Sequence, residues 1–448
     1  MTFLQNTLAA LTANVHEFEA QLAKHGHPPV HLWQPTHYDG LDDSERHVPP
    51  AAFALVEKIR ADANAISAAV TPTRLKHLSL GLSALNAAAL DVAVTLGISD
   101  AIKDLGGQAS LSMLAGRLSV NENKLGRILR LLASEYIYRQ VSPDVFANTR
   151  HGTTLLKQEK SEPFLSLLGQ YNTLSATGLL KNMTDMESKH SFAAEKAPFC
   201  SAVSPNGETF MEYMMQPEHA DVAAKVADGV VPWLNRITRA PLVHSYAWSE
   251  LGDSVVVDLG CGPGDSAMDI LRQYPRLRWV FQDVAAVVDG LKFSFPEEFK
   301  AKVEAGDISF VVQDYLEPNK SEGHVWYMRG VIREHPADEV LQILKHVANG
   351  MRKTPGSRLL INEILVSTVA VVPSSESLGA AVPSEHIPAQ QSALPDVADL
   401  MTWNTFCFFG GHERSFPEIE ALLEQAGLRV SGFSKLSTMT VMIEAVIA

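Results

Sequence analysis

Residues 255–265 read Val-Val-Val-Asp-Leu-Gly-Cys-Gly-Pro-Gly-Asp. Three successive β-branched residues favour a buried strand. Glycines at 260, 262 and 264 follow at once, so the strand runs into a turn of unusual φ whose backbone a ligand can approach closely. The segment from Ser266 to Tyr274 then reads as a helix. A strand, a glycine-rich turn and a helix in that order form the ligand-facing corner of an α/β sheet, shared by nicotinamide and flavin proteins. Two acidic positions narrow the reading. Asp258 precedes the first glycine, and Asp283 closes the next strand-like run, Trp279-Val-Phe-Gln-Asp, at the distance of a ribose-hydroxyl partner. Gln313-Asp314-Tyr315 follows the third run, where an adenine is usually met.

The rest of the chain is organised around that corner. From 251 to 448, strand-like runs (Val255-Val-Val, Arg278-Trp-Val-Phe, Ile308-Ser-Phe-Val-Val, Val325-Trp-Tyr-Met, Arg358-Leu-Leu-Ile-Asn) alternate with helical segments. This pattern predicts a doubly wound, mostly parallel sheet with helices on both faces. Residues 161–250 read as apolar helices, a linker and substrate-pocket region. Residues 366–397 are rich in Ser, Pro and Ala and read as a surface insertion, either a lid or a plain loop. In the 76–160 block, a nearly all-apolar helix (Leu85 to Ile98) precedes two short helices around Ser119-Val-Asn, a helix-turn-helix pattern. Tyr136-Ile-Tyr-Arg and Val145-Phe-Ala-Asn-Thr then read as the strands of a wing. Residues 1–75 form a helical extension, with helices over 2–25 and 51–70 joined by a proline-rich arm.

Charge decides what the winged helix is for. Lys and Arg total 37 against 51 Asp and Glu, a net charge of −14. Nucleic acid binding needs clustered cations, so this block is expected to be packing and homodimer interface. Cys200, Cys261 and Cys407 are too scattered for a disulfide framework or a metal site, and they suit a reducing compartment. With no signal-like start and no apolar run of ~18 residues, neither secretion nor membrane insertion is expected. The expected location is cytoplasmic.

Asp-Leu-Gly-Cys-Gly-Pro-Gly, followed by Gln-Asp and Gln-Asp-Tyr, resembles the class I S-adenosylmethionine (SAM) methyltransferases. More closely, the chain resembles plant and fungal small-molecule O-methyltransferases that carry a winged-helix dimerisation domain. Ala247-Trp-Ser-Glu-Leu-Gly, Tyr327-Met-Arg329 and Gly410-Gly-His-Glu413-Arg414-Ser belong to the same pattern, and the resemblance spans about residues 75–448. It implies a Rossmann-like fold, SAM as cofactor, no metal and a homodimer. The cofactor site would comprise Asp258, Gly260, Gly262, Gly264, Asp283, Asp314, Tyr315 and Arg329. Asp283 would hold the ribose, Asp314 the adenine, and the backbone from 260 to 264 the methionine end.

The family's catalytic signature after the fourth strand, Arg-x-x-Leu-His-Asp-Trp-Pro-Asp, is altered. Here it reads Arg329-Gly-Val-Ile-Arg333-Glu334-His335-Pro336-Ala-Asp338. Arg333 takes the place of the base histidine and His335 that of the tryptophan. The two flanking glutamates are kept as Glu363 and Glu413. Arginine stays protonated, so it cannot serve as base, but it can donate to a carbonyl or a developing oxyanion. His335, two residues on, would point about 200° away on a helix. A basic residue here resembles the O-methyltransferase-like pericyclases of fungal pyridone-alkaloid and related pathways, which bind SAM without spending its methyl group. That resemblance implies Arg333, Glu363 and Glu413 as catalytic residues. Facing a cation, both glutamates are expected to be ionised. Phe210, Met214, Met215, Trp403, Asn404 and Phe408 are the candidate pocket lining, suited to a flat, largely apolar polyketide or alkaloid. His151, His190 and Asn404 are candidates for a further polar contact. Two other readings stand beside the pericyclase: a true O-methyltransferase, using an acidic substrate hydroxyl or His335, and a non-catalytic SAM-binding partner protein.

Overall fold

In the computed structural model of the chain, residues 2–36, 41, 50–204, 206–230, 233, 242–244, 246–366, 397–436 and 440–448 are described. The insertion read over 366–397 lies outside them except at its two ends. At the N-terminus, Thr2 and Gln5 form a capping box that starts the helix Phe3–Lys24. That helix packs on Pro50–Val70 around Phe18, Leu22 and Ala52. Asn14 Nδ2 donates to Asp62 Oδ2 across the pair at 3.0 Å. The arm that follows the first helix is tied to the next unit. Leu32 O accepts from Arg150 N at 3.1 Å, and Trp33 lies against Tyr136.

The winged-helix unit forms as its sequence suggests. Helices Leu111–Leu118 and Glu122–Ser134 are N-capped by Ser110 and Asn121 and separated by Ser119 in a left-handed conformation. A small antiparallel sheet joins β1 (Gln108–Ser110), β2 (Tyr138–Ser142) and β3 (Val145–Asn148) in the order β1-β3-β2. Tyr138 and Phe146 pack from it onto Leu114, Leu125 and Leu129. The apolar helix Ala84–Leu96 buries Ala89, Ala93 and Val94 but leaves Leu85 exposed. The helix before it, Thr73–Gly81, buries nothing and presents Leu75, Leu78 and Leu80 to the outside. No single helix among the described residues is long and apolar enough to cross a membrane; these two reach that composition only as a pair bent by 44°.

The larger sheet has seven strands: β4 (Val255–Leu259), β5 (Arg278–Asp283), β6 (Ile308–Val312), β7 (Val325–Arg329), β8 (Arg358–Glu363), β9 (Leu428–Lys435) and β10 (Val441–Ile447). Their order is β6-β5-β4-β7-β8-β10-β9. The first five are parallel, and β10 runs antiparallel to both β8 and β9. Each face is closed by helices. Ala337–Met351 and Phe416–Gln425 cover one, and Asp265–Gln273 with Trp248 covers the other. Helix Ala337–Met351 sits so close that a Cβ on Gly350 would lie 2.4 Å from the Trp326 ring. Chain order reverses between β4 and β7, so a crevice opens beyond their carboxyl ends. Asp283, Arg329 and Glu363 all end strands at that edge.

Candidate active site

The glycine turn after β4 forms the floor of the crevice. Gly260, Gly262 and Gly264 have φ of 68°, 53° and 71°, a region open to glycine at little cost. Gly260 N and Cys261 N both donate to Gln282 O at 3.0 Å, which fastens the turn to β5. Gly262 N donates to Asp283 Oδ2 at 2.9 Å, and Val284 N to Asp283 Oδ1 at 2.8 Å. Both Asp283 oxygens keep a second lone pair for a ligand hydroxyl. A Cβ on Gly260 would meet Val331 Cγ2 at 3.0 Å and Tyr315 Cε1 at 3.3 Å, whereas one on Gly262 would meet nothing within 4 Å. The turn is thus walled on one side and open on the other. With a carboxylate bonded to its backbone, it fits the ribose and methionine ends of SAM.

Asp258 behaves differently from the reading above. It is buried behind the turn, and its Oδ2 accepts from Trp279 Nε1 at 3.0 Å. Burial pushes its carboxyl up to about 7, opposed by the Trp279 hydrogen bond and the charge of Arg329. Its contacts are those of a support for the turn. Asp314 is exposed, with Oδ1 accepting from Leu316 N at 2.9 Å. Tyr315 is half-buried, and its hydroxyl meets His335 Nε2 at 2.9 Å.

The other half of the site is built from three segments. Glu363 ends β8, Arg333 lies on the short turn Ile332–Glu334, and Glu413 lies on the loop before Phe416–Gln425. Ile332 N donates to Glu363 Oε1 at 3.2 Å, and His412 N to Arg333 O at 2.8 Å. Arg414 clamps these segments together. Its guanidinium donates to the carbonyls of Ile332, His412 (3.1 Å) and His335 (2.6 Å). The Arg333 side chain folds over Gly330, where a Cβ would come within 3.3 Å of Nη2. Among the described residues, no hydrogen bond or ion pair engages that guanidinium. Glu363 Oε2, Glu413 Oε1 and Asn404 Oδ1 are buried without a hydrogen-bond partner among the described residues.

Both glutamates hold their protons more tightly than expected beside a cation. Glu363 is 3% exposed, and burial pushes its carboxyl up to about 7 even though the Arg333 charge opposes the rise. Burial raises Glu413 as well, offset in part by the Thr405 hydroxyl. Desolvation outweighs one nearby cation because the guanidinium forms no direct ion pair with either carboxylate. His335 has both ring nitrogens committed, Nδ1 to Glu339 at 2.7 Å and Nε2 to Tyr315.

The helical wall is only partly as read from the sequence. Phe210, Met214 and Phe408 close on Phe199 and Leu167 as interior packing, with Phe210 and Phe408 centroids 4.7 Å apart. Met215 is 81% exposed and Trp403 53%. His151 and His190 are also at the surface. Asn404 alone of the six lining candidates has a buried, unpartnered polar atom. Methionines and aromatics at helical spacing mark an apolar stripe but not what the stripe faces. Arg414, Thr405 and His412 were given no role by sequence. The signal for Arg414 was present in Gly-Gly-His-Glu-Arg, since a buried arginine must find acceptors for several N–H groups.

Residues 205–429, half of the chain, match the model of the O-methyltransferase domain, and residues 78–158 match the O-methyltransferase dimerisation domain. The chain belongs to the O-methyltransferase family. S-adenosylmethionine is its cofactor. Among relatives, the O-methyltransferase gedA of Aspergillus terreus is 27% identical over 475 aligned residues, covering 98% of this chain and 93% of the relative. Among solved structures, CalO1, a methyltransferase in calicheamicin biosynthesis in its SAH-bound form, shares the fold at TM-score 0.65 and 20% identity. The match covers 84% of this chain and all of CalO1. LepI in complex with SAM matches at TM-score 0.65 and 16% identity, covering 88% of this chain and 94% of LepI. This O-methyltransferase-family chain therefore pairs a glycine turn that fits SAM with an arginine where the base histidine would stand.

Proposed function

We propose that the chain is a SAM-dependent pericyclase of fungal secondary metabolism, acting on a polyketide or pyridone-alkaloid-like intermediate by dehydration, by hetero-Diels–Alder or Alder-ene cyclisation, or by both. The observation that carries this reading is Arg333: a permanent cation, with no hydrogen bond or ion pair from its guanidinium among the described residues, beside two buried carboxyl groups. A concerted cyclisation requires orientation and charge stabilisation and no strong base. Arg333 donates to the substrate carbonyl. Glu363, whose carboxyl holds its proton up to about pH 7, gives that proton to a departing hydroxyl, which leaves as water. The resulting carboxylate takes a proton from an acidic substrate hydroxyl, so the dehydrated product is neutral and Glu363 is restored. SAM, when bound, would supply a fixed sulfonium charge.

A second reading, methyl transfer to a phenolic or polyketide hydroxyl, draws support from the extent of the match to gedA. The two are separated by product mass. Purified protein and SAM are added to the precursor that accumulates when the gene is deleted. An isomer, or the precursor less one water, with no S-adenosylhomocysteine formed, supports the pericyclase. A product one methylene heavier overturns it.

The exposed leucines of Thr73–Gly81 adjoin the matched dimerisation domain, and we propose that a second copy covers them. Light scattering should give twice the chain mass of 48.8 kDa; a monomer refutes the dimer.

A further inference from the structure

We infer that His335 and Glu339 are positioning residues for the cofactor, acting through Tyr315. Tyr315 approaches the glycine turn most closely at Gly260, where its ring lies 3.3 Å from the place a Cβ would occupy. Its hydroxyl meets His335 Nε2 at 2.9 Å, and His335 Nδ1 meets Glu339 Oε2 at 2.7 Å. Glu339 belongs to the helix Ala337–Met351, which is packed against the sheet. The chain of contacts therefore runs from the turn, through a ring, to a long helix.

The chemistry of the link fixes its direction. A carboxylate at Nδ1 accepts the proton carried there, and in that Nδ1–H tautomer Nε2 is the acceptor that faces the Tyr315 hydroxyl. Tyr315 then donates its hydroxyl proton to His335 and keeps its oxygen lone pairs for a ligand N–H. Burial, together with the negative charges of Glu334, Asp283, Asp314 and Glu339, pushes the Tyr315 hydroxyl up to about 12, so it stays protonated and able to donate. The His335 backbone is fixed as well, because Arg414 donates to its carbonyl at 2.6 Å. The tryptophan of the usual signature could not bridge a tyrosine hydroxyl to a carboxylate through two ring nitrogens, since its indole offers a single donor. The substitution that removed the base two residues earlier is thus accompanied by a second one that rebuilds the cofactor wall. This inference concerns cofactor binding and holds whether or not the methyl group is transferred.

The test is calorimetric titration of the full chain with S-adenosylhomocysteine. His335→Phe and Tyr315→Phe should each weaken binding about three- to tenfold, the worth of one hydrogen bond. The double variant should be no weaker than the weaker single variant, because both remove the same link. His335→Gln, which can still meet the tyrosine hydroxyl, should recover part of the loss, and the apparent KM for SAM should rise with little change in that for substrate. Unchanged affinity in both single variants, or losses that add in the double variant, would overturn the inference. Should His335→Phe fail to fold, Glu339→Ala on the half-exposed helix face is the substitute. It should weaken binding about two- to threefold, and unchanged affinity there also overturns the inference.

Discussion

The two halves of the crevice are finished to different degrees. In the cofactor half, four polar side chains around the glycine turn have protein partners. Asp283 accepts from Gly262 and Val284, Asp258 from Trp279, Asp314 from Leu316, and Tyr315 is engaged with His335. In the substrate half, Glu363 Oε2, Glu413 Oε1 and Asn404 Oδ1 are buried without hydrogen-bond partners among the described residues, and the Arg333 guanidinium makes no hydrogen bond or ion pair with them. Leaving a buried polar atom unsatisfied costs about 1–3 kcal/mol. A fold that bears this cost at three side chains of the substrate half holds ready-made hydrogen-bonding capacity for a ligand that completes it.

The comparison is most exposed to breakage at Arg333. Arg333→Ala should lower turnover about 10²–10³-fold, the usual worth of a donor to developing charge, while S-adenosylhomocysteine affinity stays within about twofold by calorimetry. Full turnover in that variant would remove the ground for treating the substrate half as electrostatic. Equal loss of cofactor affinity would show that the halves are not separable.

Glu363→Gln tests the same half through stability. The Glu363 carboxyl is raised in the folded protein to about 7 from the ordinary carboxylate value. Its contribution is therefore fully present below the unfolded value and is lost as pH rises through about 7. The wild type should lose about 2–3 kcal/mol between pH 5 and pH 8.5 from this group alone. The glutamine variant, which cannot ionise, should melt above wild type at pH 8.5, with the gap closing towards pH 5. Parallel melting curves at both pH values would mean that Glu363 is ionised throughout and cannot carry a proton to a leaving hydroxyl.

What the sequence disclosed follows the same division. The β4 turn, the parallel strands and Asp283 were legible because short-range signals set them: β-branched runs, glycines and strand-to-helix alternation. The hairpin of β9 and β10 was not, since Leu428–Lys435 is broken by Gly432 and two serines, and the apolar run Val441–Ile447 reads equally as helix or strand. Three-residue β1 was too short to register. In the site, the positions of Arg333, Glu363 and Glu413 could be read from a motif, but the upward shift of both glutamates could not. It depends on how much water the fold removes, and that is a property of packing. What the lining candidates face was hidden for a related reason: Phe210, Met214 and Phe408 share an apolar stripe that packs with Phe199 and Leu167. Arg414 was visible as a letter but became a clamp only once Ile332, His412 and His335 were brought within its reach.

The smallest expected effects sharpen the cofactor half by setting two of its glycines against each other. Gly260 and Gly262 both have positive φ, so alanine at either costs about 1–2 kcal/mol of backbone strain. They differ in surroundings. A methyl at 260 would press on Val331 at 3.0 Å and Tyr315 at 3.3 Å, whereas a methyl at 262 would enter open space. Gly260→Ala should therefore lower the melting temperature of the ligand-free protein more than Gly262→Ala does. Gly262→Ala should pay the larger share of its penalty in cofactor affinity, about tenfold, because its methyl occupies room that the bound ligand needs. If Gly262→Ala binds S-adenosylhomocysteine as tightly as wild type, the open side of the turn at Gly262 is not where the cofactor lies.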